Sequence, residues 1–328
     1  MDLWTWALHA VAALLKQVQP PERLVLGGRA YDLGPMIGEG GFAYVYEVRE
    51  SQRPDSRALA LKRVRIALPE HRERIQNEIA AHHAVRSPHV IPLIASELRA
   101  EPPEALLLLP LYRNGTVQDL IERSVDPDHG LPIKQILSIT KDVCAGLAAF
   151  HKHEPPLAFR DLKPGNILVG DAANARYGIG PAVLTDLGSV APAVVRITSR
   201  REAVALQELC AETVTAPFRA PELFDPPSTA TIDAAVDVWA LGCTLFTMAY
   251  GTPPFDGTLT AVVSGQVTFP GCPSGAPHVR VRYTPAFQQL IRDILTLDPS
   301  MRPSLAEISV RCDQLLANLN QQQQQQQV

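Results

Sequence analysis

The fold of this chain is decided by two short stretches, Phe159-Arg160-Asp161-Leu162-Lys163-Pro164-Gly165-Asn166 and Thr185-Asp186-Leu187-Gly188. Asn166 and Asp186 offer oxygen atoms from two different loops, and oxygen ligands of this kind suit a hard cation such as Mg²⁺. A magnesium ion held in this way can neutralise the charge on a phosphate group during its transfer. We therefore predict that Asn166 and Asp186 are metal ligands.

Two further side chains of the first stretch fit the chemistry of a phosphate transfer. Asp161 can orient an attacking hydroxyl group and accept its proton, and Lys163 would place a positive charge beside the transferred phosphoryl group. We predict that Asp161 and Lys163 are catalytic residues. The alternative is that residues 161–164 form a turn with a solvated pair of charges, and the motifs on both sides of the stretch argue against it.

Length and composition indicate a chain with room for two hydrophobic cores. It has 328 residues, 46% apolar and 20% charged, and its net charge of -4 gives no reason to expect a nucleic-acid partner. The cysteines are odd in number, far apart and without a C-x-x-C spacing, which predicts a reduced intracellular compartment and no zinc site. No apolar run reaches the roughly 20 residues that a membrane span needs. The cysteines are Cys144, Cys210, Cys243, Cys272 and Cys312.

The folded part is expected to begin at Tyr31 with a hairpin that has a glycine-rich tip, Ile37-Gly38-Glu39-Gly40-Gly41-Phe42-Ala43-Tyr44-Val45. Glycines at such a tip let backbone N–H groups approach phosphate oxygens. Residues 44–48 return as a strand. A dinucleotide-binding turn would be followed by a helix, so this pattern argues against one.

Alternating and helical segments follow. Residues 59–64 alternate as a strand that contains Lys62, and residues 69–86 predict a helix whose inward flank carries Glu78. Glu73 is the alternative inward acid. A further alternative is that either acid is a solvent-exposed charge on the helix surface.

The rest of the chain predicts one more buried strand, at 105–109, and then mainly helices. Residues 134–153 form an apolar-periodic helix, and further helices are predicted near 284–297 and 303–319. Ser199-Arg200-Arg201-Glu202 is a capping box that opens a short helix. The apolar face of that helix consists of Ala203, Leu206 and Cys210.

Seven motifs, in order, resemble those of protein kinases. The two stretches quoted first resemble the catalytic loop and the metal-binding turn, and Lys62 lies in a strand that resembles V-A-I-K. The others are the glycine-rich tip, Ala220-Pro221-Glu222, Asp237-Val238-Trp239-Ala240-Leu241-Gly242 and Asp298-Pro299-Ser300-Met301-Arg302-Pro303.

The finer resemblance is to the Numb-associated kinase family, and within it to the myristoylated and palmitoylated serine/threonine kinase subgroup and its plant homologues. The resemblance runs from about Tyr31 to about Leu319, which is most of the chain. The runs that carry the finer match are the glycine-rich tip with Tyr46, Ser199-Arg200-Arg201-Glu202-Ala203, and Ala216-Pro217-Phe218-Arg219-Ala220-Pro221-Glu222-Leu223.

This resemblance implies an α+β, bilobal fold, with a small, mainly antiparallel β lobe that holds one key helix and a larger, mainly α lobe. The predicted boundaries are an apolar helix and linker at 1–30, the N-lobe and hinge at 31–112, the C-lobe at 113–319, and a disordered, glutamine-rich tail at 320–328. The family also implies ATP and Mg²⁺ as cofactors, protein substrates phosphorylated on serine or threonine, and a helical activation segment.

The resemblance assigns roles to single residues. Lys62 would pair with the α- and β-phosphates and with Glu78, Leu109 would be the gatekeeper, and the Pro110 carbonyl and the Tyr112 N–H would face adenine. The predicted ATP-binding residues are Ile37, Gly38, Glu39, Gly40, Gly41, Phe42, Ala43, Val45, Ala60, Lys62, Glu78, Leu109, Pro110, Leu111, Tyr112 and Leu168. The predicted structural residues are Asp237, which would brace the catalytic loop, and Glu222 with its partner Arg302.

Three positions depart from the kinase pattern. Phe159 replaces a histidine and can pack but cannot hydrogen-bond, Leu187 replaces a phenylalanine, and Ala43 replaces the third glycine. None of these changes removes a group that would touch phosphate or metal. We therefore expect an active serine/threonine kinase, with a pseudokinase scaffold as the alternative.

Residues 189–219, between the Asp186 turn and Ala220, correspond to the activation segment and suggest how activity is controlled. In kinases an arginine at the place of Arg160 often pairs with a phosphorylated residue, but a capped helix can order the segment without phosphate. We predict a constitutively active enzyme, with a phosphate-switched loop as the alternative. The candidate autophosphorylation sites are Thr198, Ser199, Thr213 and Thr215.

Residues 1–18 predict a short apolar helix with a narrow polar face. Its partner is either a membrane interface or the chain's own small lobe. The lipid motifs of the subgroup are missing, because Asp2 follows Met1 and no cysteine precedes Cys144. We expect a cytoplasmic monomer, with peripheral contact at Golgi or other secretory membranes through residues 1–18 as the membrane alternative.

Overall fold

The computed structural model describes residues 22–40, 43–51, 53, 55–124, 130–171, 175–270 and 283–325. They divide into two units. Unit 1 lies within Met1–Arg72 and Leu93–Leu111, and unit 2 lies within Glu73–Pro92 and Tyr112–Val328.

Unit 1 is built on one antiparallel sheet. Its strands are β1 (Arg23–Leu26), β2 (Arg29–Glu39), β3 (Ala43–Glu50), β4 (Leu59–Arg65), β5 (Ala95–Arg99) and β6 (Glu104–Pro110). They pair in the order β1-β2-β3-β4-β6-β5. Leu61, Leu106 and Leu108 face a core on one side of the sheet, together with Leu24 and Leu26 from β1. The buried strand predicted at 105–109 is therefore confirmed as β6.

The sheet begins at Arg23, eight residues before the predicted start at Tyr31. Arg23-Leu24-Val25-Leu26 alternates, with both leucines buried, and Gly27-Gly28 turns the chain with φ of 58° and 76°. A Gly-Gly pair between two alternating runs is typical of a tight hairpin, because both central residues of such a turn need positive φ. Residues 23–30 are thus part of the sheet and not of a linker.

Unit 2 is mainly helical. The first helix, α1 (Pro69–Ala84), begins in unit 1 and continues into unit 2. The other helices of unit 2 are α2 (Val117–Glu122), α3 (Ile133–His151), α4 (Arg200–Thr213), α5 (Pro221–Phe224), α6 (Ala235–Tyr250), α7 (Leu259–Val263), α8 (Pro285–Ile294) and α9 (Leu305–Gln325). Short antiparallel pairs join β7 (Leu157–Ala158) to β10 (Ala191–Pro192), β8 (Ile167–Val169) to β9 (Ala182–Leu184), and β11 (Val195–Ile197) to β12 (Ala230–Ile232). The four long helices predicted from periodicity correspond to α1, α3, α8 and α9.

The centre of unit 2 is α6, which is buried along nearly its whole length. Trp239 is fully buried and stacks on Phe255 with ring centroids 5.4 Å apart. Gly242 lets α8 come close, because a methyl group there would stand 2.7 Å from the Ile294 side chain. This close contact explains why a small residue occurs in the middle of a buried helix.

The boundary between the units differs from the predicted one, because residues 73–92 belong to unit 2. After α1, residues 90 and 91 pair with β9, and the chain joins the sheet of unit 1 only from Ile94, whose N–H donates to the Leu108 carbonyl at 2.8 Å. Val90 forms a parallel bridge with Leu184, and the Ile91 N–H donates to the Leu184 carbonyl at 2.9 Å. Backbone pairing therefore decides the assignment of this segment.

The C-terminal tail is a second correction, because α9 continues to Gln325 and the predicted disorder from 320 onward is wrong for residues 320–325. Glutamine is a good helix former, so a run of it can extend an existing helix. Lys134 of α3 adds a contact, since its Nζ donates to Asn320 Oδ1 at 2.6 Å and to Gln323 Oε1 at 2.7 Å.

The predicted apolar helix at residues 1–18 lies outside the described residues, so its choice between a membrane and the small lobe stays a prediction. Within the described part of the chain, no helix combines the length and the hydropathy needed to cross a bilayer.

Glu222 and Arg302 form the ion pair that the sequence predicted. Arg302 Nη1 and Nη2 lie 2.6 and 2.8 Å from the two carboxylate oxygens, and the arginine side chain is 1% exposed. Arg302 also donates to the carbonyls of Ala235, Thr296 and Leu297.

Replacing Arg302 tests the weight of this pair. Arg302→Met leaves the largely buried Glu222 carboxylate, 11% exposed, without its cation, so we expect the free energy of unfolding to fall by about 3–5 kcal/mol in chemical denaturation. The control is Arg311→Met, which breaks an exposed pair with Asp293 of similar length, 2.7 Å, and should cost less than about 1 kcal/mol. Equal, small losses in both variants would show that the Glu222–Arg302 pair does not hold unit 2 together.

Candidate active site

The Asp161 carboxylate is held at both oxygens. Oδ2 accepts from Lys163 Nζ at 2.9 Å and from Asn166 Nδ2 at 3.1 Å, and Oδ1 accepts from the Thr215 N–H at 2.9 Å. The carboxylate is almost completely buried. Three donors from three positions along the chain therefore fix the orientation of one acid.

Lys163 joins the catalytic loop to the activation segment. Its Nζ lies between Asp161 Oδ2 and the Thr215 hydroxyl oxygen, to which it donates at 2.6 Å. The Lys163 side chain is 30% exposed, so the ammonium group still reaches solvent. An ammonium group has three donors, and these two contacts leave one for a further anion.

A second buried acid binds the backbone of the two residues that precede Asp161. Asp237, at the start of α6, accepts from the N–H groups of Phe159 at 2.8 Å and Arg160 at 2.7 Å. Arg160 has a φ of 68°, which is unfavourable for a non-glycine residue by roughly 1–2 kcal/mol. Two hydrogen bonds to a buried carboxylate stabilise this conformation.

Sequence reasoning missed His151, which is a third partner of Asp237. His151 Nε2 lies 2.8 Å from Asp237 Oδ2. The histidine is the last residue of α3, where periodicity marked only the end of an apolar helix, so its polar partner could not be read from the pattern.

The ring of Phe159, which stands where kinases have histidine, is fully buried and packs edge-on against Phe150 with centroids 5.6 Å apart.

The two predicted metal ligands are neighbours. The Thr185 N–H donates to the Asn166 carbonyl at 3.0 Å, which brings Asp186 beside the catalytic loop. Both hydrogen bonds of the Asn166 amide nitrogen go to Asp161, so its Oδ1 is the atom available as a ligand. A carboxamide oxygen and the exposed Asp186 carboxylate form an all-oxygen set, which fits Mg²⁺.

Glu78 of α1 approaches the same turn. A methyl group at Gly188 would stand 3.6 Å from Glu78 Oε2 and 3.6 Å from Asp186 Oδ1. Glu78 is buried, whereas the alternative acid, Glu73, is exposed. The structure thus favours Glu78 as the inward acid of α1.

In unit 1, strand register collects the other predicted nucleotide residues on one face. Val45 of β3 lies opposite Lys62 of β4, and Ala60 lies opposite Leu109 of β6. This face is the opposite of the one that carries Leu61 and the leucine core. The register therefore supports the predicted grouping of Val45, Ala60, Lys62 and Leu109.

The glycine-rich tip closes as a hairpin, with Gly38 opposite Val45, Glu39 opposite Tyr44, and the Gly40 N–H donating to the Ala43 carbonyl at 2.8 Å. Ile37 is exposed on β2, while Gly41 and Phe42 lie outside the described residues.

The remaining predicted nucleotide residues are spread over both units. Pro110 ends β6, Leu111 is the last residue of unit 1, Tyr112 is the first of the following part of unit 2, and Leu168 lies on β8 opposite Val183.

The activation segment contains the predicted helix, α4, and Ala203, Leu206 and Cys210 are its buried residues as predicted. Ser199 is the N-cap, and its hydroxyl accepts from the Glu202 N–H at 3.3 Å. The Glu202 carboxylate accepts from the N–H and the hydroxyl of Thr198, at 2.7 and 2.9 Å. The predicted capping box is therefore shifted, because its acid reaches one residue further back, and these bonds lower the pKa of Glu202.

The C-terminal end of α4 is also tied down. Ser189, next to the metal-binding turn, donates its hydroxyl to the Thr213 carbonyl at 2.6 Å. Arg219 Nη2 donates to the carbonyl of Val214, the C-cap residue, at 2.7 Å. Neither Ser189 nor Arg219 was among the predicted site residues, since no local pattern links them to a helix end.

The chain is similar to known protein kinases over most of its length. The protein kinase domain matches residues 31–312. Serine/threonine-protein kinase 16 of Homo sapiens is 36% identical over 290 residues, covering 86% of this chain and 89% of that protein, and its Rattus norvegicus counterpart is 35% identical over the same length. A probable serine/threonine-protein kinase of Dictyostelium discoideum is 31% identical over 354 residues, covering 89% of this chain and 95% of that protein. These findings confirm the resemblance that the motifs indicated.

The Thr215 hydroxyl gives a test of this geometry. Thr215→Val keeps the shape and the backbone N–H but removes the acceptor for Lys163, so we expect kcat of the phosphotransfer to fall roughly ten- to a hundredfold, the range for a lost hydrogen bond to a charged group. Thr215→Ser should keep most of the rate. The control is Thr213→Val, because the Thr213 hydroxyl bonds only to the Leu209 carbonyl within the described residues. Steady-state kinetics on the three variants measure the effect, and an unchanged kcat in Thr215→Val would contradict it.

Proposed function

The chain belongs to the protein kinase family and is a serine/threonine kinase, and from this premise we propose that it transfers the γ-phosphate of ATP to protein hydroxyls with Asp161 as the proton acceptor. The observation that carries the proposal is the fixed orientation of the Asp161 carboxylate between Lys163, Asn166 and Thr215. Such a site works mainly by positioning and charge neutralisation.

Asp161 acts on the substrate hydroxyl. Both of its oxygens are held by donors, but each carboxylate oxygen has more than one acceptor site. The remaining acceptor positions can take the hydroxyl hydrogen of a serine or threonine, orient the attacking oxygen and accept its proton. The three fixed donors keep the carboxylate from rotating away during this step.

Lys163 acts on the phosphate. Two of its donors are used by Asp161 and Thr215, and the third is available to an oxygen of the transferred phosphoryl group. Its charge would stabilise the negative charge that the phosphoryl oxygens carry in the transition state.

Asn166 and Asp186 are the residues that would hold Mg²⁺. The bound ion supplies neutralisation of the β- and γ-phosphate charge. Asn166 keeps its amide nitrogen on Asp161, so one side chain links the metal-ligand oxygen to the orientation of the proton acceptor.

A pseudokinase scaffold is the competing function, and no observation favours it. The residues that chemistry requires, Lys62, Glu78, Asp161, Asn166 and Asp186, are all present. A role in membrane trafficking or secretory-pathway signalling, a position in the cytoplasm or at Golgi membranes, and a monomeric state stay predictions from the sequence.

Two substitutions test the chemical proposal. Asp161→Asn keeps the size of the side chain but removes the proton acceptor, so turnover should fall about 10²- to 10⁴-fold while ATP still binds. Asp186→Ala removes a metal ligand and should weaken binding of the magnesium–nucleotide complex. Phosphotransfer to a generic protein substrate, with and without Mg²⁺, and equilibrium binding of a fluorescent ATP analogue measure the two effects.

The matched control is Asp225→Asn, because Asp225 is exposed and pairs only with Arg200 within the described residues. It should turn over like the wild type. If the wild type and Asp186→Ala shared one low rate, the proposed phosphotransfer would be refuted.

We also propose that the kinase is active without a phosphate on its activation segment. Arg160 of the catalytic loop is buried, and its Nη2 donates to the carbonyl of Pro192 in the activation segment at 3.1 Å. The N-terminal end of α4 is capped by Ser199, with Glu202 bonded to Thr198. These contacts can order the activation segment without a phosphate group, which has this role in other kinases.

Phosphatase treatment tests this regulation. Complete dephosphorylation, verified by intact mass, should leave the specific activity unchanged, because the contacts that order the segment contain no phosphate. Heat-inactivated phosphatase is the control. A large loss of activity on dephosphorylation would favour the phosphate-switched loop.

A further inference from the structure

One peptide unit of the activation segment is held from both sides. The carbonyl of Val214 accepts from Arg219 Nη2 at 2.7 Å, and the N–H of the same peptide, that of Thr215, donates to Asp161 Oδ1 at 2.9 Å. The carbonyl and the N–H of a trans peptide point in opposite directions. Arg219 and Asp161 therefore grip one rigid plane from its two edges.

Arg219 is placed at some cost to folding. It is 8% exposed, and within the described residues its only side-chain hydrogen bond goes to Val214 while its Nε has no partner. Its guanidinium lies 4.7 Å from the centroid of the Phe224 ring. Burial lowers the pKa of the Arg219 guanidinium, while the nearby charge of Asp161 acts in the opposite direction without a hydrogen bond between the two side chains.

The strength of the contact follows from its surroundings. A hydrogen bond from a charged donor is stronger than a neutral one, and exclusion of water strengthens it further. A peptide whose carbonyl is polarised in this way becomes a better donor at its N–H. The charge of Arg219 thus acts on Asp161 both directly and through the polarised peptide, although the two side chains do not share a hydrogen bond.

We propose that Arg219 is a positioning residue for phosphotransfer, which holds the Val214–Thr215 peptide so that the Thr215 N–H fixes the Asp161 carboxylate. Arg219 also connects Asp161 to the end of α4, because the Val214 N–H donates to the Cys210 carbonyl at 3.0 Å. The end of α4, rather than a phosphate, then sets the orientation of the proton acceptor. The proposal rests on the proposed role of Asp161.

Three substitutions separate positioning from packing. Arg219→Met keeps the apolar stem and removes every hydrogen-bond donor. Arg219→Gln keeps a neutral donor, and Arg219→Lys keeps the positive charge with donors on a single nitrogen atom. We expect kcat to fall roughly ten- to a hundredfold in Arg219→Met, less in Arg219→Gln and least in Arg219→Lys, while KM for ATP stays near the wild-type value. The control is Arg311→Met on α9, which should change neither parameter.

The rate of hydrogen exchange at the Thr215 amide measures the contact between the Thr215 N–H and Asp161 independently of catalytic activity. It should speed up in the same order as kcat falls, because the N–H loses its fixed acceptor when the peptide can rotate. This readout also separates the two proposals, since faster exchange with no measurable wild-type phosphotransfer would refute the role of Asp161 and not the contact.

Two results would overturn the inference. One is wild-type kcat in Arg219→Met, or in Arg219→Gln if the methionine variant does not fold. The other is a reduced kcat with wild-type exchange at Thr215, which would assign Arg219 to packing of the segment alone.

Discussion

The carboxylate of Asp237 is completely buried and accepts hydrogen bonds from two backbone N–H groups and from His151. It sits at the first turn of α6, where the helix dipole favours a negative charge. The left-handed conformation of Arg160 depends on this grip, and the direction of the Asp161 side chain depends on Arg160. The backbone of Phe159 and Arg160 is therefore held by a helix of the core, while Lys163 and Asn166 add contacts within the catalytic loop itself.

The activation segment shows how a loop can be ordered by helix ends. An isolated helix as short as α4 would be marginal in water, so its order depends on what satisfies its free ends. Ser199 and Thr198 act at the N-terminal end, and Ser189 and Arg219 act at the C-terminal end. Because Ser189 lies three residues after Asp186, the helix end is linked both to a predicted metal ligand and to Asp161, the proposed proton acceptor.

Much of the fold followed from local patterns, and the differences have physical causes. The leucine strand at 105–109 was predictable because its apolar run is too short for a typical helix, and α3 was predictable because its apolar residues recur with helical periodicity. The glutamine run was predicted to be disordered on composition, but a preceding packed helix lowers the cost of adding further turns. The Glu202 cap shifted to Thr198 because a carboxylate on the first turn can reach either of two neighbouring N–H groups.

The sequence by itself determined which residue types stand at the site, because the catalytic loop and the metal-binding turn are contiguous motifs whose chemistry can be read in order. Only the tertiary structure decided what orients them. Asp161 and Thr215 are 54 residues apart, and His151 and Asp237 are 86 residues apart. Contacts over such separations form when helices and strands pack. A hydrogen bond between a side chain and a distant backbone group leaves no pattern in the residues that make it, since every residue except proline carries the same N–H group.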